Sequence, residues 1–168
     1  NGVGQGTDAA TGAAANGLDD SLTINGFLGS KAINPASGES ANAIATSINA
    51  ETENTGVDAK AVSHAVIASV SAAGIVGITI GEDGSTSSAQ TVTATVTTTD
   101  LSNLRDAINA VSGATGVTAG SLAGSQASLL LKYADGHDIV LSNYTNTGHA
   151  SATVTVQGYN FLGTAAAT

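Results

Sequence analysis

The sequence predicts an α+β protein of two similar units, each a small, mainly antiparallel sheet packed with one amphipathic helix. Three observations carry this. Ser40 to Ala50 places Ala41, Ile44, Ala45 and Ile48 at i, i+3, i+4 and i+7, the spacing of one apolar helix face, and Asp100 to Ala110 repeats the pattern with Leu101, Leu104 and Ile108. Both helices run into the same punctuation, Thr55-Gly56-Val57-Asp58-Ala59 and Thr115-Gly116-Val117-Thr118-Ala119. The two copies align without a gap at an offset of 60 residues, matching Ile48-Asn49-Ala50 to Ile108-Asn109-Ala110. The remaining large residues are mostly small β-branched ones in alternation, which suits pleated sheets.

Taken in order, residues 1–17 are rich in Gly, Ala and Asn without periodicity and read as a linker. Leu18 to Ile24 predicts a strand stopped by Asn25-Gly26, and Phe27 to Asn34 predicts its return, ended by Pro35. The first helix follows, with Ser37 or Ser40 as cap and Glu39 near its positive end. After the Gly56 turn come strands over 57–62, 64–71 and 75–80, then a polar hairpin loop, Gly81-Glu82-Asp83-Gly84-Ser85. Thr91 to Thr97 alternates and enters the second helix, capped by Asp100 and burying Leu101, Leu104, Ile108 and Val111. Strands are expected over 117–122, 128–133, 138–141 and 152–157, with Asp135-Gly136 as the tight turn of a hairpin. The domain organisation is thus a first unit over 18–72, a second over 73–161, and a C-terminal linker over 162–168. The first residues lack Met, a basic region and an apolar run, so the chain reads as the excised middle or processed product of a longer protein.

Composition excludes several function classes. In 168 residues there are 21 Gly, one Pro and no Cys, Met or Trp, so the core must be built from Ala, Val, Ile and Leu with Phe27, Phe161 and three tyrosines as large anchors. A formal charge of −9 without any basic cluster argues against nucleic acid phosphates and anionic lipid as partners. The most apolar run, Ala65 to Ile80, is interrupted by Ser69, Ser71, Gly74 and Gly77 and alternates like strands, so no membrane span is expected.

At the two Ile-Asn-Ala sites a family resemblance enters. Leu22-Thr23-Ile24-Asn25-Gly26, an alanine-rich helix ending in Ile48-Asn49-Ala50, and Thr55-Gly56-Val57-Asp58-Ala59 resemble the flagellin hook IN motif, a repeat of the variable middle regions of bacterial flagellins and hook-associated proteins. The stretch Leu129 to Leu141, with Asp135-Gly136 at its centre, is similar to the hairpin that commonly follows that motif. The likeness runs from about Leu18 to Ser142 and is closer in the first copy; the second has Ile78-Thr79-Ile80-Gly81 where the first has its Asn-Gly turn. The resemblance implies a structural, surface-exposed outer domain of an extracellular flagellar filament protein, exported by the flagellar apparatus and contributing to motility. It implies other flagellin subunits as partners, through terminal helices that this sequence does not contain, with weak contacts between outer domains and a monomeric isolated fragment. The alternative reading is an adhesin or carbohydrate-binding module gripping sugar with Tyr133, Tyr144 and loop Asn or Asp residues.

No catalytic, cofactor-binding or metal-binding residue is assigned, and no enzyme activity or cofactor is expected. His64, His137 and His149 are far apart in sequence and fit no ligand spacing. Asp19-Asp20, Glu82-Asp83 and Asp135 with Asp138 could offer oxygens to Ca²⁺ but lack the alternating acidic spacing of an EF-hand, and acidic residues are common in glycine turns. Gly2-Val3-Gly4-Gln5-Gly6-Thr7 follows no strand and lacks the Gly-Lys pair of a phosphate loop. Thr91 to Thr99 could accept O-linked glycans, and Asn143-Tyr144-Thr145 is an N-glycosylation triplet.

Overall fold

The structure, a computed structural model, describes residues 21–36, 38–82 and 85–158. Both expected linkers, residues 18–20 of the first strand, Asp19-Asp20, Ser37, Asp83-Gly84 and Phe161 lie outside the described residues.

The described chain opens with a hairpin of β1 (Leu22–Asn25) and β2 (Ser30–Ile33). Asn25-Gly26 ends β1 as expected, yet Phe27 and Leu28 belong to the connecting loop rather than to the return strand. Gly26 N–H donates to Gly29 O at 2.9 Å, and Leu28 N–H to Thr55 O at 3.2 Å. A Cβ at Gly26 would run into the Thr55 carbonyl, so glycine lets the loop lie flat on the turn that follows the first helix. That helix, α1 (Ala41–Asn49), is capped by Ser40, whose Oγ accepts from Ala43 N–H at 3.3 Å. A single-turn helix, α2 (Thr52–Thr55), follows and ends at Gly56 in the left-handed region, φ 73°.

Residues 57–62 are not a strand, contrary to expectation; the chain runs on directly into β3 (Ser63–Val70). Their sequence counterpart, β6 (Val117–Leu122), does pair, because Ala123 and Gly124 at φ 49° and 79° fold it back onto β7 (Ser125–Tyr133). Val62-Ser63-His64-Ala65 offers no such turn. Between these lie β4 (Gly74–Glu82), β5 (Ser85–Val96), α3 (Ser102–Ala110) and a second single-turn helix, α4 (Ser112–Thr115). Asp100 caps as expected, though one residue further out than the usual cap position: its Oδ1 accepts from Ser102 N–H at 2.8 Å. The chain ends with β8 (Ile139–Asn146) and β9 (Val154–Gly158).

Every described strand pairing is antiparallel. Beyond the β1–β2 hairpin there are two sheets, one ordered β6-β7-β3-β9 and one β5-β4-β8. The expected hairpin across Asp135-Gly136 does not form. Gly136 makes the turn at φ 75°, but β7 already has β6 on one side and β3 on the other, so β8 crosses over to pair with β4. The core lies between the two sheets. Ala65, Ile67, Leu129 and Leu131 face Val76, Ile78, Ile80 and Leu141, and α3 inserts Leu104 and Ile108, with Leu101 just before it, where it packs on β5 and β6. The protein is α+β, as predicted.

Candidate functional site

The residues that carried the sequence repeat make the same bonds twice. At the end of α1, Asn49 Oδ1 accepts from Ala59 N–H at 2.7 Å and its Nδ2 donates to Ala59 O at 3.0 Å. At the end of α3, Asn109 holds Ala119 in the same way, at 2.8 and 2.9 Å. A side-chain amide carries one acceptor and a donor pair side by side, which is what a backbone N–H and C=O of one residue require. Each asparagine therefore pins the segment after the glycine against the helix that precedes it. Thr55 and Thr115 are fully buried beneath, and each hydroxyl donates to the carbonyl four residues back, Glu51 O at 2.9 Å and Val111 O at 3.2 Å. Each also accepts from the N–H two residues on, Val57 and Val117, at 3.2 Å. Gly56 and Gly116 are both left-handed, and each is covered by an aromatic ring, Phe27 on one and Tyr133 on the other.

The surroundings of the two clamps differ. Leu104 and Ile108 on α3 are fully buried, whereas no residue of α1 is; Ile44 and Ile48, expected to bear the packing, are half-buried. The reason is topological. α3 rests on β5 and β6, but the counterpart of β6 in the first copy, residues 57–62, lies outside the sheets, and β9 takes the place beside β3 that β6 takes beside β7. Removing the clamp should therefore matter unequally. Asn109→Ala is expected to cost about 1.5 kcal/mol of global stability through two lost hydrogen bonds, and Asn49→Ala less than about 0.5 kcal/mol. Urea denaturation followed by circular dichroism measures both; equal losses would contradict the difference in packing.

The aromatic covers differ in the same sense. Phe27 is 84% exposed and Tyr133 9%. Tyr133 Oη donates to Glu82 Oε2 at 2.5 Å, tying the β6-β7-β3-β9 sheet to the end of β4, and the His137 ring stands edge-on to it at 5.6 Å. The hydrogen bond to Glu82, reinforced by burial, pushes the Tyr133 hydroxyl up from 10.0 to about 12. Because the folded value lies above the unfolded one, this contribution is intact below pH 10 and is lost as pH rises toward 12. Thermal melting should fall across that window, and Tyr133→Phe, costing about 1 kcal/mol at neutral pH, should fall less steeply there. The same burial leaves Tyr133 no ring face to offer a sugar, so the alternative of sugar gripping keeps Tyr144, which is half-buried.

The histidines lie in separate surroundings. His64 sits on β3 opposite Lys132, and partial burial and that lysine lower its pKa. His149 accepts from Ser151 N–H through Nδ1 at 3.2 Å. Among the described residues no three His, Asp or Glu side chains are grouped to hold a metal ion. Asp135 is exposed on its turn while Asp138 is buried. Thr91, Thr93 and Thr95 are exposed on β5, with Thr91 Oγ1 and Thr79 Oγ1 2.9 Å apart. Asn143 stands at a bulge of β8 with φ 52°, its Nδ2 donating to Thr79 Oγ1 at 3.3 Å.

The family model described as the flagellin hook IN motif matches residues 21–73. No curated protein matches the chain. The matched stretch comprises the β1–β2 hairpin, α1, α2, the first asparagine clamp and β3. The motif's last strand is a central one, paired with β7 on one side and β9 on the other. No helix among the described residues is long and apolar enough to cross a membrane. Sequence reasoning found Asn49 and Asn109 as matched letters but not as clamps; their shared distance of ten residues from Ala59 and Ala119 was the available signal.

Proposed function

We propose that the chain is a non-enzymatic, surface-exposed outer domain of a flagellar filament protein, built from two IN-type units over 18–72 and 73–161. The IN motif match is the observation that carries this reading. The recurrence of the same clamp, buried threonine and left-handed glycine in 109–119 supports a second, diverged unit. In this role the domain works mechanically. Two cross-tied sheets hold an acidic, hydroxyl-rich exterior, with Thr91, Thr93 and Thr95 among its exposed groups, away from the filament axis. Polymerisation with other flagellin subunits runs through helical segments of the parent protein, and the domain itself adds weak lateral contacts outside the cell.

Immunogold labelling tests this. Antibodies raised against residues 21–158 should decorate filaments sheared from the source cells along their length. Label confined to the cell wall, with bare filaments, would point instead to an adhesin, and a glycan array would then take up the sugar-binding alternative.

A further inference from the structure

The core cluster is drawn from Ala65 through Val156, and none of its members lies in 21–62. In that first stretch β1 pairs with β2 and α2 packs on β2, while among the described residues none of β1, β2, α1 or α2 packs broadly on a strand or helix of the two sheets. Internally the stretch is well braced. Leu28 N–H reaches Thr55 O, Lys31 Nζ lies 3.6 Å from Glu51 Oε2, and Asn49 clamps Ala59. Thr52 Oγ1 donates to Val57 O at 2.9 Å, which ties α2 to the segment beyond it.

Its attachment to the sheets is narrow by comparison. Asn42 supplies two hydrogen bonds to the β7–β8 turn, N–H to Gly136 O at 2.9 Å and Nδ2 to Asp135 O at 2.6 Å. Gly136 rests against Ala61, where a Cβ would not fit. Between these two contacts the surfaces part. A solvent-open cleft of about 270 Å³ separates α1 from the turn, with Thr46 and Lys60 on one side and Asp135 on the other. A braced body held to the sheets, among the described residues, by the two hydrogen bonds of Asn42, one backbone and one side-chain, and by the Gly136–Ala61 contact beside a wet gap has the construction of a hinged arm.

We propose that residues 21–60 move as one body about a joint at Ala61 and Val62, latched in the observed pose by Asn42 on the carbonyls of Asp135 and Gly136. The joint falls inside the IN motif rather than at its end: the motif's outer part swings, while β3 stays fixed in the sheet. The latch sets the angle at which the exposed Phe27 and Leu28 are presented relative to the sheets. This holds whatever larger assembly the chain serves.

Two measurements on the full chain test it. In native-state hydrogen exchange, Asn42→Ala should speed exchange several-fold at the position-42 amide, which donates across to Gly136 O, and leave the remaining amides of α1 and those of β3 and β7 unchanged. An unchanged position-42 amide, or acceleration throughout α1, which would mean local unfolding, would overturn the proposal. Because the natural chain has no cysteine, spin labels can be placed at will. The distance between labels at Thr46 and Lys132 should broaden in Asn42→Ala, and the distance between labels at Thr23 and Glu53, both within the arm, should stay narrow. An unchanged Thr46–Lys132 distribution rules out the latch; broadening of the Thr23–Glu53 distance means that the arm unfolds rather than swings, and equally overturns it.

Discussion

Ile108→Asp is expected to destabilise the protein by about 4 kcal/mol or more, a large part of the total stability of a domain this size, whereas Ile48→Asp is expected to cost about 1 kcal/mol. The two isoleucines are matched positions of one repeat, each followed by Asn-Ala in the last turn of its helix. Intrinsic helix propensity and the unfavourable placement of a carboxylate near a helix C-terminus therefore apply equally to both. What differs is the surroundings. Ile108 has no exposed surface and belongs to the core cluster; an aspartate there has no hydrogen-bond donor arranged for it and no path to water. Ile48 is half-buried on a helix that packs broadly on no sheet among the described residues, and an aspartate can turn to solvent. Urea midpoints, read by circular dichroism since the chain lacks tryptophan, measure the pair. Equal losses would mean that the face of α1 is covered in solution as fully as that of α3.

That difference marks where the sequence stopped being informative. The apolar stripe of each helix, the Asn25-Gly26 stop, the Ser40 and Asp100 caps and the antiparallel α+β class were legible because each depends on neighbours within a few residues. Which stripe is buried depends on whether the segment ten residues later enters a sheet, and that was decided by the turn at Ala123-Gly124, present in one copy and missing in the other. A two-residue change of turn chemistry thus displaced a whole strand. The Asp135-Gly136 turn is legible because it is local, but the strand that follows it pairs elsewhere, because the crowding of β7 by β3 and β6 is a non-local fact. The clamps were visible as repeated letters; their pairing with Ala59 and Ala119 needed the three-dimensional turn to bring them together.

Gly116→Ala is expected to cost about 3 kcal/mol and Gly56→Ala about 1 kcal/mol, although the two glycines share the local sequence Thr-Gly-Val and nearly the same left-handed backbone, φ 70° and 73°. The backbone term, roughly 1 kcal/mol for placing a side chain in that region, is common to both. The remainder comes from the ring. A Cβ on Gly116 enters the space of the Tyr133 ring, which cannot retreat because its hydroxyl is bonded to Glu82 and its body is buried. A Cβ on Gly56 meets Phe27 in the same way, but that ring is mostly in water and can swing aside at little cost. Double substitution separates the two terms. Tyr133→Ala should relieve part of the Gly116→Ala cost, a coupling of about 1–2 kcal/mol, while Phe27→Ala and Gly56→Ala should simply add. Additivity at both sites would show that the rings do not press on the glycines. Coupling at Gly56 as strong as at Gly116 would show that Phe27 is held in place in solution.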